Sequence, residues 1–389
     1  MIYILIITLL ISSLLAGNFE KGMEAYKKKN YKSTIIFWEL SAKEGYSPAQ
    51  FNLGQMYANG QGIKQNYKEA IKWYTLSAKQ GDSTAQLNLG LMYSSGQGVK
   101  QNYKEAMKWC KLSAEQGYYL AQYNLGFIYL TGKGVKQDYK KALKWYRFSA
   151  EQGYYLAQYN LGGMYYAKRG VKQDYKKAIK WYKLSAEQGY AASQYNLGAM
   201  YNSGKGVKQD YKKAIKWYKL SAEQGDSSAQ FNLGLMYDRG KGVKQDYKEA
   251  FKWYKLSAKQ GYSKSEHNLG FAYENGKGVK QDYKQAIKWY KLSAEKGAST
   301  SQFNLGLMYA NGKGVKQDYK QAAKLYKLSA EQGDSSAQLN LGFMYENGKG
   351  VQKNKILAYE WYLKSAKLGN STAQNNLDIL CKKSSWVCK

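Results

Sequence analysis

One proline, Pro48, and one histidine, His267, serve a chain of 389 residues. With proline so scarce, no helix beyond residue 48 is interrupted by a missing donor. A single imidazole leaves acid–base chemistry near neutral pH little to draw on. His267 itself reads as one member of a series that holds Phe or Tyr in other places. Cysteine is scarce too, at Cys110, Cys381 and Cys388. One isolated thiol and one pair cannot complete a four-ligand zinc site, so no metal and no cofactor is expected. Arginine is nearly missing, three against 57 lysines, although the formal net charge is +32. Bidentate contacts to phosphates and bases favour Arg, which weighs against nucleic acid as the partner of this charge. Strand signals are missing, so the expected class is all-α. Gly-x-Ser-x-Gly, Lys-Thr-Gly and His-Glu-x-x-His do not occur. No Gly-x-x-x-x-Gly-Lys-Ser/Thr follows a strand, so the Gly-Lys-Gly segments read as turns between helices rather than phosphate cradles.

What the sequence does have is a period. GVKQDYKKAIKWYKLSAEQG runs from Gly170 to Gly189 and recurs unchanged from Gly206 to Gly225. Leu-Gly falls at Leu53, Leu89, Leu125, Leu161, Leu197, Leu233, Leu269, Leu305 and Leu341, always 36 residues apart. Leu377 keeps the phase but precedes Asp378. Trp73, Trp109, Trp145, Trp181, Trp217, Trp253, Trp289 and Trp361 share a second register, with Phe37 and Leu325 in its gaps. A fixed period of this length marks a stacked array rather than two or three globular domains. Nine full repeats span 46–369. Residues 18–45 form an N-terminal capping helix pair, and 370–389 a closing helix with a cysteine-containing tail.

Residues 82–117 show how one repeat is built. Ala85, Leu89, Met92 and Tyr93 lie on one helical face. Asp82 or Ser83 suits the N-cap, and Gly96 and Gly98 end the helix. Asn102 opens a second helix, with Glu105 placed for a capping box. Ala106, Met107, Cys110 and Ala114 are its buried stripe, so Cys110 is a core residue. Gly90, inside the first helix, costs about 1 kcal/mol against Ala. Close approach of a neighbouring helix explains its return in every repeat, with the Trp of the second helix supplying bulk beside it.

In the third repeat the pattern reads Ala121, Leu125, Gly126, Tyr129, Gly132, Gly134, Val135, Asp138, Ala142, Trp145, Ser149 beside Ala150, and Gly153. This resembles the Sel1-like repeat, a relative of the tetratricopeptide repeat. The resemblance implies a right-handed superhelical solenoid of paired antiparallel helices that binds protein or peptide ligands along a concave face. The fourth repeat departs from the pattern, with Lys168 where the others have the first loop glycine, so that loop should differ. In the eighth, Leu325 replaces Trp.

Three features bear on place and partner. MIYILIITLLISSLLAG is apolar for about fifteen residues and suits a secretory signal over 1–17. It lacks an n-region Lys or Arg, and an uncleaved anchor is the alternative. Export implies a periplasmic or secreted protein, and an oxidising compartment would join Cys381 to Cys388. The lysines follow helical spacing, as at Lys176, Lys180 and Lys183, and read as a solvated outer face. That face could attract an anionic envelope polymer, anionic lipid or an acidic partner.

Candidate binding residues come from comparing the repeats with one another. Positions 51, 55 and 58 and their equivalents vary most, from Phe51, Gln55 and Ala58 to His267, Phe271 and Glu274. Tyr118, Tyr119, Tyr154, Tyr155 and Tyr190 crowd three successive repeats where others carry Asp82, Ser83, Asp226 and Ser227. Tyr gives large amphipathic area at low entropic cost and suits a hot spot. Tyr166, Lys168 and Arg169 are taken with this patch. Asn124 and Asn160 belong to an asparagine ladder from Asn52 to Asn376. Such an Asn holds peptide backbone in tetratricopeptide relatives, or serves here as a structural hydrogen bond to a neighbouring loop. The expected function is an exported interaction scaffold without catalysis. The enzymatic alternative is the β-lactamase or penicillin-binding activity ascribed to some exported cysteine-rich Sel1-like proteins. This chain lacks their cysteine pair in each repeat, and no acylatable Ser beside a Lys is expected.

Overall fold

The computed structural model describes residues 16–388, and among these every regular element is helical. The 1–17 signal segment lies outside the described residues except for Ala16 and Gly17. The contacts divide the chain into two halves, up to Ser193 and from Gln194 on. Within each half, two thirteen-residue helices make up almost every repeat, and the second packs on its own first helix and on the first helix of the next repeat.

The helix ends are set by the residues that the sequence singles out. Asp82 accepts from the Ala85 backbone N–H at 2.7 Å and opens the helix Ser83–Ser95. Asn102 accepts from the N–H groups of Lys104 and Glu105 and opens Tyr103–Glu115. The capping box is only half made. The Asn102 N–H is used by the Tyr93 carbonyl of the preceding helix, at 2.9 Å, and Glu105 turns to Lys108. The same bond joins Asp138 to Tyr129 and Asp246 to Tyr237, so it orients the second helix on the first.

Gly96 and Gly132 end their helices at φ 77° and 73°, in the left-handed region. Lys168 takes the same conformation at φ 58°. The expectation that this loop differs is corrected. Arg169 N–H still reaches the Met164 carbonyl, as Gln97 reaches Met92, and Gln173 still ties the loop to the Tyr166 carbonyl. The helix Tyr155–Tyr166 is one residue shorter, and that is the main change. A left-handed non-glycine residue costs about 1–2 kcal/mol, a strain small enough for the repeat bonds to override.

In the first, fourth, sixth and ninth repeats the core is an Ala-Leu-Met face closed by one tyrosine, and elsewhere Ser193, Ser265 and Ser301 stand for the Ala and Ile128 and Ala272 for the Met. A Cβ on Gly126 would stand 2.8 Å from the Tyr146 ring, and on Gly162, 2.9 Å from Tyr182. The helix glycine is therefore kept by the tyrosine that follows the Trp, not by the Trp itself. From Trp73 to Trp289 the Trp rings lie under the preceding lysine, as with Lys108 over Trp109 at 5.6 Å, and Trp361, which follows Glu360, lies under Lys364. In the second repeat Cys110 takes the tyrosine's place against Gly90. It is buried, and burial pushes its thiol up to about 12.

Two ladders absent from the sequence reading join the repeats. Buried glutamines donate to an alanine carbonyl eight residues back, as Gln122 does to Ala114. Most also accept from a glutamine 30 residues on, as Gln122 does from Gln152 at 2.8 Å, whereas Gln338, with Leu368 in that place, is left with an unpartnered Oε1. Buried serines donate to the first turn of the first helix, as Ser149 does to the Tyr119 carbonyl.

The first helical pair, 16–27 and Tyr31–Lys43, buries Trp38 over Gly22. At the other end, the helix Ser371–Lys383 is followed by a short 3-10 turn, and Cys381 is bonded to Cys388. Among the described residues no helix is long and apolar enough to cross a membrane.

Candidate functional site

Tyr118 and Tyr154 occupy the N-cap positions of two successive first helices, Tyr119–Thr131 and Tyr155–Tyr166. Neither makes a side-chain cap bond. Their rings turn sideways along the array instead. Tyr118 meets Tyr119 at 5.6 Å, Tyr119 meets Tyr154 at 5.2 Å, Tyr154 meets Tyr155 at 5.5 Å, and Tyr155 meets Tyr190 at 5.2 Å. Five tyrosines that are scattered over 73 positions of sequence thus form one continuous row of touching rings. The contacts are edge-on or tilted, the arrangement that the ring quadrupoles favour.

The row does not stop at the helix ends. Tyr154 packs edge-on against Tyr123 at 5.1 Å, and Tyr190 against Tyr159 at 5.1 Å. Tyr123 and Tyr159 belong to the variable stripe of the first helix. The stripe and the tyrosine cluster, separate in the sequence, are one aromatic surface. Its outer members are Tyr119, 36% exposed, and Tyr155, 37% exposed. The inner members are half-buried, and burial holds the Tyr154 hydroxyl up at about 12. Tyr118, Tyr123 and Tyr190 are raised for the same reason. All of these phenols are therefore neutral near pH 7. The surface offers aromatic edges and uncharged hydroxyls.

Tyr166, Lys168 and Arg169 are not part of it. They sit at the far end of the helix that Tyr155 opens, about 16 Å away at 1.5 Å per residue. Tyr166 packs on Tyr175 at 5.3 Å, and Lys168 and Arg169 are exposed in the loop.

The asparagines take structural partners, though not the loop expected. The Asn124 amide donates to the Leu120 carbonyl of its own helix at 2.8 Å. Asn232 does the same to Ser228, and Asn52 donates to Met23 Sδ. For Asn304 and Asn88 the partner is the core tyrosine hydroxyl of the preceding repeat, Tyr290 and Tyr74. Asn160 differs from all of these. It hydrogen-bonds Tyr123 of the aromatic surface, and the Tyr146 hydroxyl is left buried without a partner. The stripe's exposed position, 55 and its equivalents, carries Leu91, Phe127, Phe271 and Phe343. Lys277 lies between the Phe271 and Tyr247 rings. His267 is mostly buried, hydrogen-bonds Ser301 through Nδ1 at 2.9 Å, and has its pKa lowered by burial.

The expectation of no acylatable serine beside a lysine needs one correction, because a Ser-x-x-Lys pair does occur. Ser293 and Lys296 have the Ser-x-x-Lys spacing, and the fold brings Lys355 Nζ within 2.7 Å of Ser384 Oγ. Ser293 is fully buried and donates to the Ser263 carbonyl, while Lys296 is ion-paired with Glu266. Ser384 is 4% exposed and forms the C-cap of the last long helix. Neither hydroxyl is open to an incoming acyl group. Among the described residues no cluster of metal-ligating side chains occurs.

Comparison with known proteins follows the same lines. The Sel1 repeat pattern matches nine stretches, 47–82, 83–118, 120–154, 156–190, 191–226, 227–262, 263–297, 299–334 and 335–370. The crystal structure of c5321, a protective antigen of uropathogenic Escherichia coli with an SLR fold, is similar over 95% of this chain and 88% of that one. The identity is 36% and the TM-score 0.73. A Sel1 repeat protein from Oxalobacter formigenes is similar over 80% of this chain and 90% of its own, at 34% identity and a TM-score of 0.64. No curated protein matches. With the repeat pattern covering most of its length, this chain belongs to the Sel1 repeat family.

Proposed function

We propose that the chain is an exported interaction scaffold whose main contact surface is the tyrosine row of its first half. The fold is one typical of protein-interaction scaffolds, and the row supplies the specific element. The observation that carries the reading is the continuity of Tyr118, Tyr119, Tyr154, Tyr155 and Tyr190 with their exposed edges. Rigid aromatic side chains lose little entropy on binding and cover much area. A protein or peptide ligand laid along the first helices would meet aromatic edges, neutral hydroxyls and the exposed stripe residues. Binding would be multivalent and largely preformed, with no covalent step. The lysine-rich outer face is separate from this surface and would add salt-dependent attraction for acidic partners or anionic envelope polymers.

The test is the double variant Tyr119→Ala/Tyr155→Ala in a capture experiment with envelope or secreted fractions. The expected outcome is weaker capture by at least about tenfold, as for hot-spot residues, with far-UV circular dichroism unchanged. Equal capture by both proteins would remove the proposal.

Export is read from the apolar opening segment and the Cys381–Cys388 bond. The similar protein from uropathogenic Escherichia coli is a protective antigen, which supports that reading. Intact mass of the native protein, before and after reduction and alkylation, checks it. Loss of the first sixteen or seventeen residues, with both thiols protected until reduction, is expected. A full-length mass with free thiols would move the protein inside the cell.

A further inference from the structure

We propose a second site, in the second half, that takes a flat aromatic ring of indole size. It lies where the eighth repeat lacks its tryptophan. In the sixth and seventh repeats the Trp packs on the last alanine of the repeat before it and on the leucine of its own first helix. Trp253 packs with Ala222 and Leu233, and Trp289 with Ala258 and Leu269. Leu325 stands in that place over Ala294 and Leu305. Being smaller, it covers them slightly less. Ala294 is 8% and Leu305 4% exposed, against 3% and 0% for Ala258 and Leu269.

The result is a cleft of about 590 Å³. Its lining includes Ala294, Leu305, Leu325, Leu328, Asp318 and Lys324. The repeat itself specifies what fits. The same backbone frame accepts an indole in both flanking repeats, at Trp289 and Trp361. A lysine covers the ring in both, Lys288 over Trp289 at 5.9 Å and Lys364 over Trp361 at 4.2 Å, and Lys324, one residue before Leu325, holds the place of Lys288. The Nε1 atoms of Trp73 and Trp253 are buried without a partner. The slot therefore selects ring shape and apolarity rather than an N–H group. A tryptophan side chain of a peptide partner is the ligand that these features define.

N-acetyl-tryptophanamide is the probe, titrated into the full chain with ligand-observed and methyl-resolved NMR. Saturable binding is expected, with shifts at the Leu305 and Ala294 methyls and none of comparable size with N-acetyl-alaninamide. Leu325→Trp rebuilds the standard repeat. It should fold, raise the melting temperature and abolish the binding. Lys324→Ala should weaken it by about two- to fivefold, the worth of an exposed cation–π contact. No saturable binding to the native chain, or equal binding to the Leu325→Trp variant, would overturn the proposal.

Discussion

The third and fourth repeats place Tyr where the second, sixth and ninth place Asp. Asp82, Asp226 and Asp334 each accept from a backbone N–H in the first turn, at 2.7, 2.7 and 2.8 Å. Tyr118 and Tyr154 make no such bond. Losing an N-cap costs about 1 kcal/mol per helix. Aromatic contacts between neighbours return roughly 0.5–1.5 kcal/mol each. The tyrosine repeats thus exchange stabilisation along the helix for stabilisation between repeats, and the exchange leaves aromatic area at the surface. Tyr46 and Tyr262 also lack a cap bond, and each meets a single Phe, Phe19 or Phe231. Only where tyrosines stand next to one another in three repeats does a row form. The lesson is that an identical frame can carry a surface chosen by a few positions.

Four experiments sharpen that contrast between frame and surface. The largest effect should come from the frame. Gly270→Ala places a Cβ 2.5 Å from the Tyr290 ring, and overpacking of this kind costs about 3 kcal/mol, read as a lower denaturation midpoint. An unchanged midpoint would mean that the tyrosine, not the glycine, adapts.

Next comes the one rung of the glutamine ladder that is charged. Glu266 and Lys296 take the places of the Gln pair and form an ion pair. Glu266 is buried, and its second carboxylate oxygen has no partner. Lys296→Ala should cost about 2 kcal/mol by orphaning a buried carboxylate. Glu266→Gln with Lys296→Gln should recover most of that loss, since it writes the standard rung. Additive losses in the double variant would show that the two positions do not act as a pair.

Alkaline titration separates the buried tyrosines from the exposed ones. Tyr74, Tyr154 and Tyr326 are held at about 12 by burial. A raised pKa means that the fold prefers the neutral phenol. The stability this provides is complete below pH 10 and is lost as pH rises through about 12. Tyrosinate absorbance should therefore show a late group that ionises with unfolding. A single transition near 10 would contradict the packing.

The smallest expected stability change is Tyr154→Asp. It restores the cap of the helix Tyr155–Tyr166 while removing ring contacts with Tyr119, Tyr123 and Tyr155. The two effects are of similar size, so stability should stay within about 1 kcal/mol of the native chain while partner capture falls. A large loss of stability would make the row part of the frame after all.

Much of the fold was legible because the repeat states its own rules nine times. Caps, glycine turns and the Ala-Leu-Met core follow from local chemistry, and Cys110 was placed correctly from phase alone. Three misreadings share one cause. The partner of the helix glycine, the tyrosine partner of ladder asparagines such as Asn304 and the second half of the capping box all lie across a helix interface. Sequence phase tells which residues recur but not which of two adjacent positions, Trp or Tyr, faces the glycine. The serine ladder recurs just as faithfully as the Leu-Gly pair, and the glutamine ladder nearly so. Their recurrence was the available signal, yet polar residues in a helix read as surface until a partner is seen.

The candidate site divides in the same way. That five tyrosines stand out is a matter of sequence, because the other repeats carry Asp and Ser there. That they form one row, and that Tyr166, Lys168 and Arg169 stand at the other end of the helix, needed the stacking of the repeats. The sequence by itself determined the period, the helices and their ends, because backbone capping and side-chain periodicity act within a dozen residues. Only the tertiary structure decided which side chains meet across repeats and where Leu325 leaves a cleft. Those outcomes depend on packing distances between helices some 30 residues apart in the chain, and no local pattern encodes a distance.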